Sequence, residues 1–420
     1  MAFRSLPQGL DLGCYRVYVR VDWNIPLQDG LGVEASLKLT RSFPLLQQLH
    51  EQGAITFVLT HRGRPKGRER ALSTKPLAAV ASAHSGLTIQ YLDVDLVSVS
   101  GRERFAKEVD HFEPGDIVLL ENVRFQGGEE TAAPDLVQAY ADHADVFINN
   151  AFASCHRSHA SVSGLARAMP SFAGPALMDE VEALSPLLKK PKRPYVAVIG
   201  GAKLSTKLPV LQALLKKADV VCVGGAMAHA FFAAKKWPIG KSYSEAEGVK
   251  LAKKVRGGKK LAIPADVVVA KKVAIGQRPR ACSVKEVGKT DVIVDVGPKT
   301  MAAWAEAIRH AKTVVWNGPV GVTEIPGFSH GSLVIGSAIA SRAKGKAYGV
   351  AGGGDTIPVV ARTGMQEWFD FVSTGGGAML EFLAENGKLP GLQALEGPQK
   401  RKLPPRHQTE EQGMSCAPHE

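Results

Sequence analysis

Gly352, Gly353 and Gly354, followed by Asp355 and Thr356, form the first of two glycine-rich runs able to hold a phosphate. Ser373, Thr374, Gly375, Gly376, Gly377 and Ala378 form the second. Each run follows a short apolar, strand-like stretch (348–351 and 371–372) and precedes a segment compatible with a helix. Successive glycines let backbone N–H groups approach phosphate oxygens, and a helix start adds positive dipole character. Asp355 adds a carboxylate suited to a hydrated Mg²⁺ already bridging those phosphates. Read singly, either run is equally a tight turn, with Asp355 as a helix cap. Two of them this close in sequence point to a nucleotide site at the strand ends of an α/β sheet.

A second set of residues could grip a phosphorylated acid. Asp22 and Asn24 follow the strand-like run 15–21, and His61 and Arg64 follow 55–60. Arg124 follows 116–120, and His156, Arg157 and His159 follow 146–149. Ligands of parallel sheets bind outside the carboxyl ends of the strands, so these side chains could share one cleft. Guanidinium groups hold phosphate and carboxylate bidentately. A single arginine after a strand is commonly a surface ion-pair partner. The same pattern after four strands argues for a site. In the second half, Gly200 and Gly201 follow the run 195–199, and Lys203 and Lys207 lie four apart, one face of a following helix. Those lysines are either phosphate ligands or ordinary solvated residues. Trp316, Asn317, Gly318, Pro319, Val320 and Gly321 make a rigid turn against which a flat base could lie, with Glu324 placed to accept ribose hydroxyls. No Gly-x-x-x-x-Gly-Lys-Ser/Thr motif occurs, which excludes an ordinary P-loop.

The elements that must position these residues are short apolar runs alternating with longer helix-compatible segments. Strands are expected at 15–21, 55–60, 116–120, 146–149, 195–199, 220–223, 291–295, 314–316 and 348–351. Most are continuously apolar, as strands buried on both faces of a parallel sheet should be. A helix is expected over 178–190, kinked by Pro186 and closed by Pro191 and Pro194, near the middle of a chain of 420 residues. That length suffices for two domains. From Gly397 onward the sequence is polar and proline-bearing, the composition of a loosely ordered tail. Hydrophobic residues make up 45% and charged residues 22%, ordinary for a soluble protein. The net charge of +12 suits phosphorylated ligands or a nucleic acid, but no aromatic-rich basic cluster offers a stacking surface. Five dispersed cysteines and no signal-like N-terminus fit a reducing cytoplasm rather than a disulfide framework. The apolar stretch 220–234 is too short to span a bilayer.

Eight blocks together resemble one family. They are Arg20-Val-Asp-Trp-Asn-Ile-Pro-Leu, Thr60-His-Arg-Gly-Arg-Pro, Leu120-Glu-Asn-Val-Arg-Phe, Ala151-Phe-Ala-Ser-Cys-His-Arg, Gly200-Gly-Ala-Lys-Leu-Ser-Thr-Lys, Trp316-Asn-Gly-Pro-Val-Gly-Val, Gly352-Gly-Gly-Asp-Thr and Ser373-Thr-Gly-Gly-Gly-Ala. In order and spacing, over roughly 12–395, they are similar to the signature blocks of phosphoglycerate kinases. The resemblance implies two Rossmann-like three-layer lobes with parallel sheets joined by a central hinge helix. It implies an acid-binding lobe over 1–172, a nucleotide lobe over 173–385 with the hinge helix at 178–190, a segment 386–396 returning to the first lobe, and a tail over 397–420.

The implied reaction is reversible phosphoryl transfer between 1,3-bisphosphoglycerate and ADP, giving 3-phosphoglycerate and MgATP. By resemblance, Asp22, Trp23, Asn24, Lys38, His61, Arg62, Gly63, Arg64, Arg124 and Arg157 would hold the acid. Gly201, Lys203, Lys207, Gly225, Asn317, Pro319, Glu324, Gly353, Gly354, Asp355 and Thr356 would hold the nucleotide, with Asp355 meeting the metal through it. Lys38, Lys203, Lys207 and Gly376 would serve the transferring group. Substrates held on separate lobes react only after a hinge closes. A cytoplasmic monomer without nucleic-acid or membrane partners is expected.

Four blocks depart from the family pattern, among them the loop His-Leu-Gly-Arg, which reads His61-Arg62-Gly63-Arg64 here. Lys38 stands where the family carries an arginine on the transferring phosphoryl group, with Arg41 about one turn on. The family's Asp-Ala-Phe-Gly block reads Asn150-Ala-Phe-Ala153, and Thr323 replaces the phenylalanine before the ribose glutamate. The alternative these departures feed is a ligand-binding, catalytically attenuated paralogue with an interaction role.

Overall fold

The structure, a computed structural model, describes residues 3–27, 31–399 and 401–406. The chain divides into two compact units, Met1–Val181 with Lys388–Glu420, and Glu182–Gly387.

In the first unit, strands β1 (Arg16–Arg20), β2 (Ile55–Leu59), β3 (Ile89–Leu92), β4 (Ile117–Leu120), β5 (Val146–Asn149) and β6 (Ser171–Ala173) form one sheet in the order β3-β4-β2-β1-β5-β6. Every pairing is parallel. β2, β4 and β5 are buried at every position, because helices cover both faces. Alternation along β1 sends Val17 and Val19 into a core with Leu45, Leu46 and Leu49 of the helix Phe43–Glu51. Tyr18 goes to the other face, 5.8 Å from the Phe57 ring and 5.7 Å from that of Tyr140. The chain builds outward from β1 through β2, then returns to β1's other side at β5. Loops following these strands therefore meet at the crevice where the strand order reverses.

The second unit holds β7 (Tyr195–Ile199), β8 (Val220–Val223), β9 (Leu261–Ala262), β10 (Asp266–Ala270), β11 (Arg280–Ser283), β12 (Val292–Val296), β13 (Thr313–Asn317), β14 (Tyr348–Gly352) and β15 (Phe371–Ser373). Six make a parallel sheet in the order β15-β14-β13-β7-β8-β9, whose reversal falls between β7 and β13. The other three make an antiparallel sheet, β11-β10-β12. The run expected at 291–295 is β12, so it belongs to this antiparallel sheet. β3, β6 and β9–β11 were not expected. β3, β6, β9 and β11 are short or carry polar residues such as Gln90 and Arg280, so they lack a continuous apolar signature; β10 has one in Val267–Ala270.

Three expectations are corrected. The central helix runs Pro175–Leu184, not 178–190, and gives way to a 3-10 turn at Ser185–Leu187. Pro175 suits a first helical turn, where no N–H is needed, whereas Pro186 cannot continue the ladder. The expected loose tail is docked over its described part. Gln399 Nε2 donates to Ser171 O at 3.3 Å, Tyr15 Oη donates to Pro404 O at 3.0 Å, and Leu403 packs against the β1 core. Arg406 pairs with Asp11 and lies 5.8 Å from the Tyr15 ring centroid. A polar composition hides such docking, because only one leucine and one aromatic partner supply it. Residues 407–420 lie outside the described part. Finally, Cys14 is disulfide-bonded while Cys155, Cys222 and Cys282 are free, which departs from a wholly reduced chain. Among the described residues no helix is long and apolar enough to cross a membrane.

Candidate active site

In the first unit, the cation cluster is organised around the last residue of β1. Arg20 is 1% exposed, and its guanidinium donates to Ser161 Oγ (3.1 Å), Ser154 Oγ (3.3 Å) and Leu59 O (3.3 Å). It also lies 3.0 Å from His61 Nδ1. A guanidinium only donates, so that nitrogen must accept and the ring proton sits on Nε2. Burial, reinforced by Arg20 and Arg124, holds His61 well below the ordinary histidine range, so the ring is neutral. His159 is likewise pulled down to about 4, by burial and then by Arg124 and Arg20. Glu129, buried against Ser161 (Oγ to Oε1, 2.6 Å), is pushed upward by desolvation.

Around this frame stand the expected ligands. Asn24 Oδ1 accepts from Gly63 N at 2.9 Å, which ties the loop after β1 to the loop after β2. Arg124 Nη1 donates to Gly63 O, yet its buried Nε has no hydrogen-bond partner; Glu130 is 3.8 Å away. Arg157 Nε donates to His156 Nε2 at 3.1 Å, and His156 Nδ1 is also buried without a partner. Arg64 is exposed, and no hydrogen bond or ion pair holds it among the described residues. Buried donors without a partner beside the exposed Arg64 are suited to an anion. Lys38 Nζ lies 2.6 Å from Glu34 and 4.0 Å from Asp22. Burial lowers its pKa, but Asp22 and Glu34 outweigh it, and the net shift is upward. Arg41 is directed away, donating to Glu180 Oε1 at 2.8 Å.

Two expected ligands stand apart from this cluster. Trp23 is a fully buried core residue whose Nε1 donates to Ser42 Oγ at 2.9 Å, so only its backbone can serve the site. Arg62 turns to Ser73 O at 3.0 Å, bracing its own loop. Asn150 Oδ1 accepts from Ala176 N at 2.9 Å, at the start of the Pro175–Leu184 helix, and its Nδ2 is left buried without a partner.

In the second unit, loops after β7, β8, β13 and β14 enclose a cavity of about 260 Å³. Gly201, Gly225, Pro319, Glu324 and Asp355 line it, with Phe232, Val267, Ile293 and Val320 as apolar walls. That mixture suits a flat base with a polar tail. Gly225 has φ 65, and a Cβ there would lie 2.7 Å from Gly201 N, so only glycine lets these two loops touch. Lys207 reaches back to Gly200 O (2.6 Å) and Asn317 Oδ1 (3.0 Å). Burial lowers it to about 8, with Asp355 opposing. Lys203 does not share its helix face. It is the N-cap of Leu204–Lys217, with extended backbone (φ −118, ψ 123), and it is exposed. The four-residue spacing therefore starts one residue outside the helix. Thr356 is fully buried, with Oγ1 accepting from Gly318 N at 2.7 Å, so it holds the β13 loop. Gly353 and Gly354 lead from β14 to Asp355, which is exposed on the cavity wall. Gly376, with φ 45, caps the helix Gly377–Ala384.

Arg20, His156, His159 and Asp295 were not among the predicted ligands. The first three sit in the cation cluster; the sequence places His156 and His159 there, after β5, without an assigned role, and Arg20 gives no signal beyond a base ending a strand. Asp295, at the cavity, is raised to about 7 by burial, against backbone donors from Gly331 and Val296. Among the described residues no group of three or more metal-ligating side chains occurs. Asp355 alone could share a cation only with a ligand's own oxygens.

The family model for phosphoglycerate kinase matches residues 8–386. The phosphoglycerate kinase of Thermus thermophilus is 43% identical over 387 residues, covering 91% of this chain and 97% of its own. That of Zymomonas mobilis is 41% identical over 402 residues, covering 94% and 100%. Among solved structures, phosphoglycerate kinase from Coxiella burnetii superposes with TM-score 0.77 at 36% identity, covering 94% of this chain and 99% of its own. The Pyrococcus horikoshii enzyme gives TM-score 0.81 at 29% identity, over 94% and 98%. The cation cluster, the glycine-lined cavity and these likenesses agree: the chain belongs to the phosphoglycerate kinase family, nucleotide-dependent phosphotransferases with a carboxyl group as acceptor.

Proposed function

We propose that Lys38, His61, Arg64, Arg124 and Arg157 of the first unit hold 3-phosphoglycerate or 1,3-bisphosphoglycerate, with Asp22 and Asn24 fixing its hydroxyl end and the buried Arg20 orienting His61 from behind. The observation that supports this most is the pair of buried orphan groups, Arg124 Nε and His156 Nδ1, beside the unpaired Arg64. The second unit takes ADP or ATP in its cavity. Glu324 meets the ribose, Lys203 and Lys207 the phosphates, and Asp355 the Mg²⁺ that travels with them. In the ATP-consuming direction a carboxylate oxygen of 3-phosphoglycerate attacks the γ-phosphorus in line, and the β–γ bridging oxygen leaves with ADP. Little covalent assistance is needed; charge neutralisation and positioning carry the step. The reading includes a monomer working in the cytoplasm.

A second reading, an attenuated paralogue, is favoured by one observation: Lys38 is engaged by Glu34 and Asp22, and Arg41 is diverted to Glu180. One assay separates the two. Purified protein with ATP, Mg²⁺ and 3-phosphoglycerate should form ADP, and chelation of the metal should stop it. Binding of both ligands without turnover would establish the attenuated reading instead.

A further inference from the structure

The basic residues are unevenly placed. Segments 235–241 and 271–289 carry nine lysines and arginines and a single acid, Glu286, and so hold +8 of a net charge of +12. The two segments adjoin in the second unit. Lys241 N donates to Asp291 O at 2.7 Å, and the buried Asp291 carboxylate takes Lys271 at 2.8 Å and Arg280 at 2.6 Å. Lys235 and Lys285 lie 5.3 and 5.9 Å from the Trp237 ring centroid. Asp291 thus pins two cations at the base of the β10–β11 hairpin. Lys272 and Arg278 beyond it are exposed, with no bonded partner among the described residues.

The tip of that hairpin is apolar. Val273 is 50% exposed and Ile275 83%, the highest value of any large hydrophobic side chain among the described residues. A surface aliphatic alone needs no explanation. Two at a loop tip, with bases on both flanks, have the amphipathic arrangement that settles into a charged interface. A nucleic acid would be met by exposed aromatic faces, and Val273 and Ile275 have none.

We propose that this hairpin docks the protein on an anionic lipid bilayer. Val273 and Ile275 enter the boundary between headgroups and acyl chains, while Lys272 and Arg278, free of Asp291, meet lipid phosphates and carboxylates. Val267 on β10 lines the nucleotide cavity, but no residue of 271–289 does. The docking surface and the cavity are therefore separable by mutation.

The test is co-sedimentation of the full chain with phosphatidylcholine vesicles, with and without one-third phosphatidylserine, at low and physiological salt. Binding should require the anionic lipid and weaken with salt. Lys272→Ala and Arg278→Ala should each lower the partition coefficient about fivefold. Ile275→Ser should lower it about tenfold or more. Nucleotide turnover, measured on the same samples, reports folding and should not change. No sedimentation at low salt would overturn the proposal. So would binding indifferent to Ile275→Ser, which would mean diffuse charge attraction without insertion. Binding to polyuridylate or polyglutamate, sensitive to Lys272→Ala, with none to vesicles would assign the surface to another polyanion.

Discussion

Replacing Lys38 by arginine should accelerate phosphoryl transfer. The Lys38 ammonium is 2.6 Å from Glu34, 4.0 Å from Asp22 and only 14% exposed, so its contacts are largely committed within the helix Val33–Thr40 and to β1's loop. A guanidinium at this position keeps one edge on those carboxylates and presents the other to the transferring group. One added charge-assisted hydrogen bond contributes about 1.5–3 kcal/mol. Loosening an i,i+4 ion pair costs about 0.3–0.5 kcal/mol. A net gain of about 1–2.5 kcal/mol in the transition state corresponds to a rise in kcat of about 5- to 70-fold, with either KM little changed. Steady-state rates of 3-phosphoglycerate phosphorylation in a coupled assay, joined to single-turnover rates, separate chemistry from product release. Glu34→Gln is the companion variant: it frees the lysine without adding a fork and should give a smaller gain. A fall in kcat for Lys38→Arg, or a change confined to KM, would refute the reasoning. So would loss of turnover in Arg41→Ala, because Arg41 is bound to the buried Glu180 and its removal should cost stability rather than chemistry.

Asp355→Ala should raise the KM for MgATP about tenfold or more, the scale of one lost charge-assisted contact, while calorimetric affinity for 3-phosphoglycerate stays unchanged; unaltered ATP kinetics would reduce Asp355 to a helix cap. Lys207 titrates at about 8 in the folded protein against 10.5 for a free lysine, because it is buried. Its pKa is depressed on folding, so the unfolded chain binds more protons between those values, and this group's contribution to stability should rise with pH across that window. A bound triphosphate should recharge the amine, so ATP binding above about pH 8 should take up a proton, seen as buffer-dependent heats that vanish in Lys207→Met. Deleting 397–420 should lower the unfolding free energy by about 1–3 kcal/mol through the lost Leu403 and Tyr15 contacts, with kcat unchanged; Arg406→Ala alone should cost about 0–1 kcal/mol because its pair with Asp11 is exposed.

What was legible in the sequence follows from what burial demands. A strand covered on both faces must be largely apolar, and β2, β4, β5 and β7 announce themselves that way, with only Thr56 and Asn149 polar among them. β11 does not, because a small antiparallel sheet leaves one face half open and admits Arg280 and Ala281 to the surface; β10, apolar over Val267–Ala270, carries the same signal as they do. The glycine runs were legible because loops that must touch exclude a side chain, as Gly225 against Gly201 shows. Lys203 misled because spacing rules assume that both residues lie inside the helix, and the first turn begins after it. Trp23 misled differently: adjacency to Asp22 and Asn24 carries no information about which way a side chain points, and strand-like alternation sends it inward.

Arg20 marks the limit of such reading. In sequence it is one more base ending a strand. Burying a guanidinium demands acceptors, and these come from Ser154 and Ser161 on a loop far along the chain, with the carboxylate of Glu129 behind Ser161. The consequence reaches the ligand. By occupying His61 Nδ1, Arg20 leaves Nε2–H as the imidazole's free donor, and burial, reinforced by the charge of Arg20, keeps that ring neutral. In the proposed acid site, an anion would therefore meet His61 as a fixed hydrogen-bond donor and not as a titrating cation. Binding of the acid should depend on pH through the ligand's own phosphate rather than through this histidine. Residue types and their order implied a phosphate site; the tautomer of His61 follows only from the packing behind it.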